Sequence, residues 1–195
     1  MGREEEIIKE RERKIQELKN TGINPYAHKF EKKNPIADCL KAKLGTGAKT
    51  AGRIMTKREI GKITFSDLMD FTGRIQLVFQ AGKTGEKDFE FFSRYVDIGD
   101  IVGVEGKIIK TKTGQQSILV KNTKLLTKSL LPLPDKWHGL QDKEERYRKR
   151  YLDLIMNPEI RKVFDTKRKI FDSIREFMKS RDFLEVETPI LQPVY

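Results

Sequence analysis

The chain has 195 residues, 37% of them hydrophobic, with forty Lys and Arg against 29 Asp and Glu for a net charge of +11. This length suits one small domain plus part of another, and no uncharged apolar stretch approaches the roughly 18 residues of a transmembrane helix. The single Cys39 excludes an intrachain disulfide framework and a Cys-rich zinc site, while the opening MGREEEIIKERERK has neither a leader's apolar segment nor a transit peptide's composition. A basic, globular, cytoplasmic protein is expected.

Residues 3–20 place Ile7, Ile8, Ile15 and Leu18 near one face among mixed charges, which predicts an exposed, partly amphipathic helix closed by Asn20 and Gly22. A turn at Asn24-Pro25, a connection through Asn34-Pro35, a short helix around 36–43 and the Gly-rich LGTG follow. From residue 50 the period changes. In 74–80 Ile75, Leu77 and Phe79 alternate with Arg74, Gln76 and Gln80, the signature of a half-buried strand. Similar strands fit 50–56, 62–69, 101–109 and 117–126, with a helix over KDFEFFSRYVDIGD and a hairpin turn at KTKTGQQ. Three strands, a helix and two strands are the order of the OB-fold, a small Greek-key barrel, although other five-stranded folds share that count.

This middle stretch, 50–130, also holds the largest basic excess, 14 basic against 9 acidic groups. Such a surface attracts polyanions, nucleic acid among them. Leu131-Pro132-Leu133-Pro134 then stiffens the chain as a linker. RYRKRYLDLIM reads as helical. Asn157-Pro158-Glu159 forms a helix start, with an N-cap, a first-position proline and a first-turn acid. Ile160, Val163, Phe164, Ile170, Phe171, Ile174, Phe177 and Met178 make a long apolar stripe before the extended FLEVETPIL.

No catalytic constellation is apparent. LGTGAKT lacks the spacing of a phosphate-binding P-loop, and His28 and His138 have no Cys partner or triad in view, so neither a catalytic nor a metal site is assigned. Asp142, Glu144 and Glu145 ahead of RYRKR fit a helix start better than a catalytic pair.

PLPDKWHGLQDKEERYRKRYLDLI (132–155) resembles the segment joining the two domains of bacterial-type class II lysyl-tRNA synthetases. GINPYAHKF (22–30), AGRIMTKREIGKITFSDLMD (51–70) and KTKTGQQSI (110–118) are similar to that family's N-terminal region, and FLEVETPIL (183–191) to class II motif 1. The resemblance implies a mostly β, α+β chain: an N-terminal helical extension (1–49), an OB-fold anticodon-binding barrel (50–130), a linker (131–145), and the start of a class II catalytic domain (146–195). By the same resemblance Phe65 matches the aromatic on which the middle anticodon base stacks, and Arg58, Gln76 and Gln115 match positions contacting the anticodon uridines. At 115 the family residue is usually Glu; Gln keeps an acceptor, adds donors and loses the charge. Alternation alone leaves Phe65, which shares the parity of Ile63, equally able to face the core.

Further implications are tRNA(Lys) as partner, with neither DNA nor membrane, and a homodimer in which Phe183 and Pro189 of motif 1 take part. The complete enzyme would use ATP and Mg2+ to activate lysine and esterify it to tRNA. Because motifs 2 and 3 do not follow, this stretch is expected to bind without cofactors and not to catalyse. Three other readings remain open: an aspartate or asparagine synthetase segment, a stand-alone OB module for single strands, and a dimerisation piece.

Overall fold

The computed structural model describes residues 2–134, 140 and 142–189, so His138 and the end of motif 1 lie outside the described residues. Internal contacts divide the chain into two compact units that meet between Leu133 and Pro134.

The first unit is built on five strands, β1 (Gly47–Ile60), β2 (Ile63–Met69), β3 (Arg74–Gln80), β4 (Ile101–Lys110) and β5 (Gln116–Thr127). They close into a barrel in the order β1-β2-β3-β5-β4, the topology expected of an OB-fold. All neighbours are antiparallel except β3 and β5. Closure depends on the length of β1. Gly47–Arg53 pair with β4 and Arg53–Ile60 with β2, with a register irregularity between Ile54 and Thr56. Gly52 sits at this changeover, where a Cβ would lie 2.5 Å from the Met69 carbonyl oxygen.

Ile54, Leu68, Ile75, Leu77, Phe79, Val102, Val104, Ile108, Ile118 and Val120 fill the barrel. Helix α3 (Glu86–Tyr95) packs against that core through Phe92, whose ring stacks on Phe79 with centroids 3.8 Å apart. The turn after β4 is held by Thr111 N donating to Gln115 O (2.9 Å), with Gly114 at φ 85°.

Helix α1 (Arg3–Asn20) is docked, where its charge pattern suggested exposure. Ile15 and Leu18 are buried, and so is Arg11. Its guanidinium donates to the carbonyls of Ile98 (2.8 Å), Ser129 (2.9 Å), Leu130 (3.4 Å) and Leu131 (2.9 Å). Lys14 reaches Asp97, which shares the fully buried Lys128 ammonium with Asp100. Buried charge persists only when paired in this way. Helix α2 (Ile36–Lys41) buries Ile36 and Cys39.

In the second unit α4 (Lys143–Arg148), α5 (Arg150–Met156) and α6 (Pro158–Lys179) follow one another. Asp142 caps α4 by accepting from Glu145 N at 2.6 Å, as the acid cluster suggested. Asn157 stands at the N-cap of α6, but its side chain donates to Asp153 (2.6 Å) rather than capping. Asp153 is buried and also accepts from Arg146 and Arg150. Residues 183–189 carry no helical or sheet pairing among the described residues.

Candidate nucleic-acid interface

The outer face of β1, β2 and β3 is set by register. Arg58 on β1 lies opposite Phe65 on β2, and Phe65 opposite Val78 on β3, itself beside Leu119 of β5. The next row runs Thr56, Asp67, Gln76, Ser117. Cross-strand partners share a face, so Arg58 and Phe65 are direct neighbours and Gln76 is diagonal to the ring, roughly 7–8 Å away at the backbone. Gln115 directly precedes β5, two residues ahead of Ser117. The four residues expected to meet RNA therefore step diagonally over neighbouring strands of one barrel surface.

Their environments differ. Phe65 is half-buried and outside the core; the inward positions of β2 are Thr64, Ser66 and Leu68. That removes the ambiguity left by alternation. Arg58 is exposed, its side chain making no ion pair or hydrogen bond among the described residues, so its five N–H donors face solvent. Gln115 is exposed too, its backbone held by Thr111 and its side chain unbonded among the described residues. Gln76 departs from expectation: it is only 8% exposed. Its Oε1 accepts from the buried Ser117 hydroxyl (3.0 Å), which occupies the amide's acceptor and leaves its two N–H donors for other partners.

Several polar residues of this face were not singled out by sequence. Asp67 accepts from Thr56 Oγ1 (2.7 Å) and from Arg74 (2.5 Å) through the same oxygen. Phe71, at the tip of the β2–β3 turn, is 74% exposed. Lys62, Lys110 and Lys112 are exposed at or beside the turns. Ring, guanidinium, amides and lysines together suit a single-stranded nucleic acid: a π-face for a base, donors and acceptors for its edge, and cations for its backbone.

His28 lines a cleft with Ile23, Lys87, Asp88 and Phe91. Among the described residues no three His, Cys, Asp or Glu side chains converge as metal ligands, and no helix is long and apolar enough to cross a membrane. In the second unit, Phe183 and Pro189 are both exposed, and α6 buries none of its residues, so its apolar stripe faces solvent.

Residues 48–126 match the family described as OB-fold nucleic acid binding domain, and residues 142–195 match tRNA synthetases class II (D, K and N). Lysine–tRNA ligase of Pelotomaculum thermopropionicum is 44% identical over 99% of this chain and 39% of its own length. The Fusobacterium nucleatum enzyme of the same name is 45% identical over 97% of this chain and 39% of its own length. Lysine–tRNA ligase 2 of Methanosarcina mazei is 46% identical over 93% and 37%. The chain thus spans about two fifths of the length of these relatives. Residues 48–126 are thus similar to an OB-fold nucleic acid binding domain and residues 142–195 to class II (D, K and N) tRNA synthetases, in a chain that resembles lysine–tRNA ligases along nearly all its length.

Proposed function

We propose that the β1–β2–β3 face reads the anticodon of a lysine tRNA. In this reading the middle base stacks on Phe65, Arg58 contacts the same nucleotide, and Gln76 and Gln115 hydrogen-bond the edges of its neighbours. The observation that carries it is the placement of Phe65: an aromatic outside the core, paired in register with an arginine that has no other partner among the described residues. A stacked base gains from the ring, and the adjacent cation adds to its binding. Support for lysine, rather than aspartate or asparagine, comes from the relatives, which are lysine–tRNA ligases, whereas the class II family takes in the enzymes for all three amino acids.

The longer protein of which this stretch would be a part is proposed to be a cytoplasmic lysine–tRNA ligase. It would activate lysine with ATP and Mg2+ and esterify it to tRNA, working as a homodimer with Phe183 and Pro189 at or near the subunit contact. This chain's share of that work is to select the tRNA.

The test is a titration of the chain with an anticodon stem-loop bearing three uridines, against loops changed one base at a time. Uridine preference strongest at the middle position is expected, and Phe65→Ala should cost about 1–3 kcal/mol, the range for one stacked base. Equal affinity for every loop would refute anticodon reading. An unchanged Kd for Phe65→Ala, with the circular dichroism spectrum intact, would remove Phe65 from the interface.

A further inference from the structure

Phe71 is the most exposed aromatic among the described residues, at 74%. It is not on a loose loop. Asp70 beside it accepts from Thr72 N (2.6 Å), Thr72 Oγ1 (2.7 Å), Gly73 N (3.0 Å), Ile36 N (3.0 Å) and Lys32 Nζ (2.5 Å). Those bonds fix the turn on both sides of the ring and tie it to the start of α2. Exposing so much apolar surface on a braced turn forfeits burial that a mobile side chain could recover.

The turn also ends the proposed reading face. Met69 and Arg74 pair across its base, one row beyond Asp67 and Gln76. Arg74 is half exposed, and Asp67 holds its guanidinium. Phe71 lies six residue steps of strand and turn beyond Phe65, at most about 20 Å at the usual rise. One base cannot touch both rings, but a strand lying along the face can. An exposed ring at the tip of a turn can stack a base, and an arginine at the base of the same turn can meet a phosphate of the strand that carries it.

We propose that Phe71 and Arg74 form a second nucleotide subsite, which stacks a loop base outside the anticodon triplet and contacts its phosphate. This subsite extends the anticodon-reading role proposed above and rests on it. Phe71 adds affinity that does not depend on the triplet's identity, because every base offers a π-face. Arg74 adds one phosphate contact, and Asp67 acts as its positioning residue.

The experiment is a double-mutant cycle between the protein and abasic substitutions made one at a time around the stem-loop. Phe71→Ala should weaken binding about 5- to 10-fold, leave the uridine preference unchanged, and abolish the penalty of one abasic site outside the triplet. Phe71→Trp should restore both affinity and penalty. Arg74→Ala should lower the slope of log K against log salt by about one for all loops alike. Because Phe71 is exposed, loss of folding does not cloud the result, and circular dichroism checks it. Wild-type affinity for Phe71→Ala would overturn the proposal, as would coupling to a triplet position. A changed sedimentation coefficient for Phe71→Ala without RNA would make the ring a protein contact instead, which also overturns it. Phe65→Ala, run in parallel, separates the two ideas: if it weakens binding and Phe71→Ala does not, only the second subsite fails; if neither matters, the face itself is wrong.

Discussion

Arg11→Met isolates what fastens α1 to the barrel. Methionine keeps much of the aliphatic stem but removes the four N–H···O contacts to Ile98, Ser129, Leu130 and Leu131. A hydrogen bond from a charged donor contributes about 1.5–3 kcal/mol, which would overstate the sum here because one contact is long and the freed carbonyls of exposed Leu130 and Leu131 can bind water. Two well-formed bonds, to Ile98 and Ser129, dominate, and the net cost is about 2–4 kcal/mol. Hydrogen exchange gives the cleanest assay. The slowest amides of β3 and β4 should exchange roughly 30- to 800-fold faster, at 1.4 kcal/mol per tenfold. Amides of α1 should lose still more protection. A cost under about 0.5 kcal/mol, with α1 protection unchanged, would refute the reasoning and leave Ile15 and Leu18 as sufficient anchors.

Two further substitutions test packing and charge. Gly103→Ala would bring a methyl within 2.5 Å of the Phe30 ring, so the ring must move and about 1–3 kcal/mol should be lost on chemical denaturation. In a Phe30→Ala background that loss should vanish; additive effects would mean the ring is not the obstacle. Asp70 provides a pH test. Burial pushes its pKa up, but bonds from Lys32, Thr72 and the backbone N–H of Ile36 outweigh that and bring it down to about 2. A carboxyl depressed when folded stabilises above its unfolded pKa, near 3.9, and that stabilisation is lost as pH falls through about 2. Asp70→Asn should therefore be less stable at pH 7 and show a flatter decline between about pH 4 and pH 2. Parallel decline in both proteins would assign the acid sensitivity elsewhere.

Some of this was legible in the residues and some was not. In β3 the alternation of Ile75, Leu77 and Phe79 marked the core side, and all three are buried. In β2 the same logic misleads, because Ile63, Phe65 and Met69 point outward while Thr64 and Ser66 point in. The interior accepts those hydroxyl residues partly because Ser66 Oγ donates to the Thr56 carbonyl at 2.6 Å, a partner ten residues away that no local pattern reveals. The outward side of Phe65 was therefore carried by family resemblance, not by periodicity. Arg11 was unreadable for a similar reason. Charge predicts exposure for an arginine on a helix, and its acceptors lie 87 to 120 residues along the chain. The length of β1 was hidden by its two pairings, since the charged TKRE end and the Gly52 changeover break any single alternation. Gln76 looked like a solvent-facing polar residue; its burial depends on Ser117, which only the parallel β3–β5 pairing brings beside it.

At the centre of this face β2 is paired along its whole length with β1 on one side and β3 on the other, so a ligand cannot be captured there by extending the sheet. Whatever docks on this face must be held by side chains alone. Preference and scaffold are then separately adjustable: exchanging Arg58 or Gln115, whose side chains bond to nothing else among the described residues, changes what is selected without disturbing a single ladder bond. Gln76 is the exception, tied through Ser117 to the strand that closes the barrel. Divergence among related readers would therefore run through the exposed positions first and reach Gln76 last.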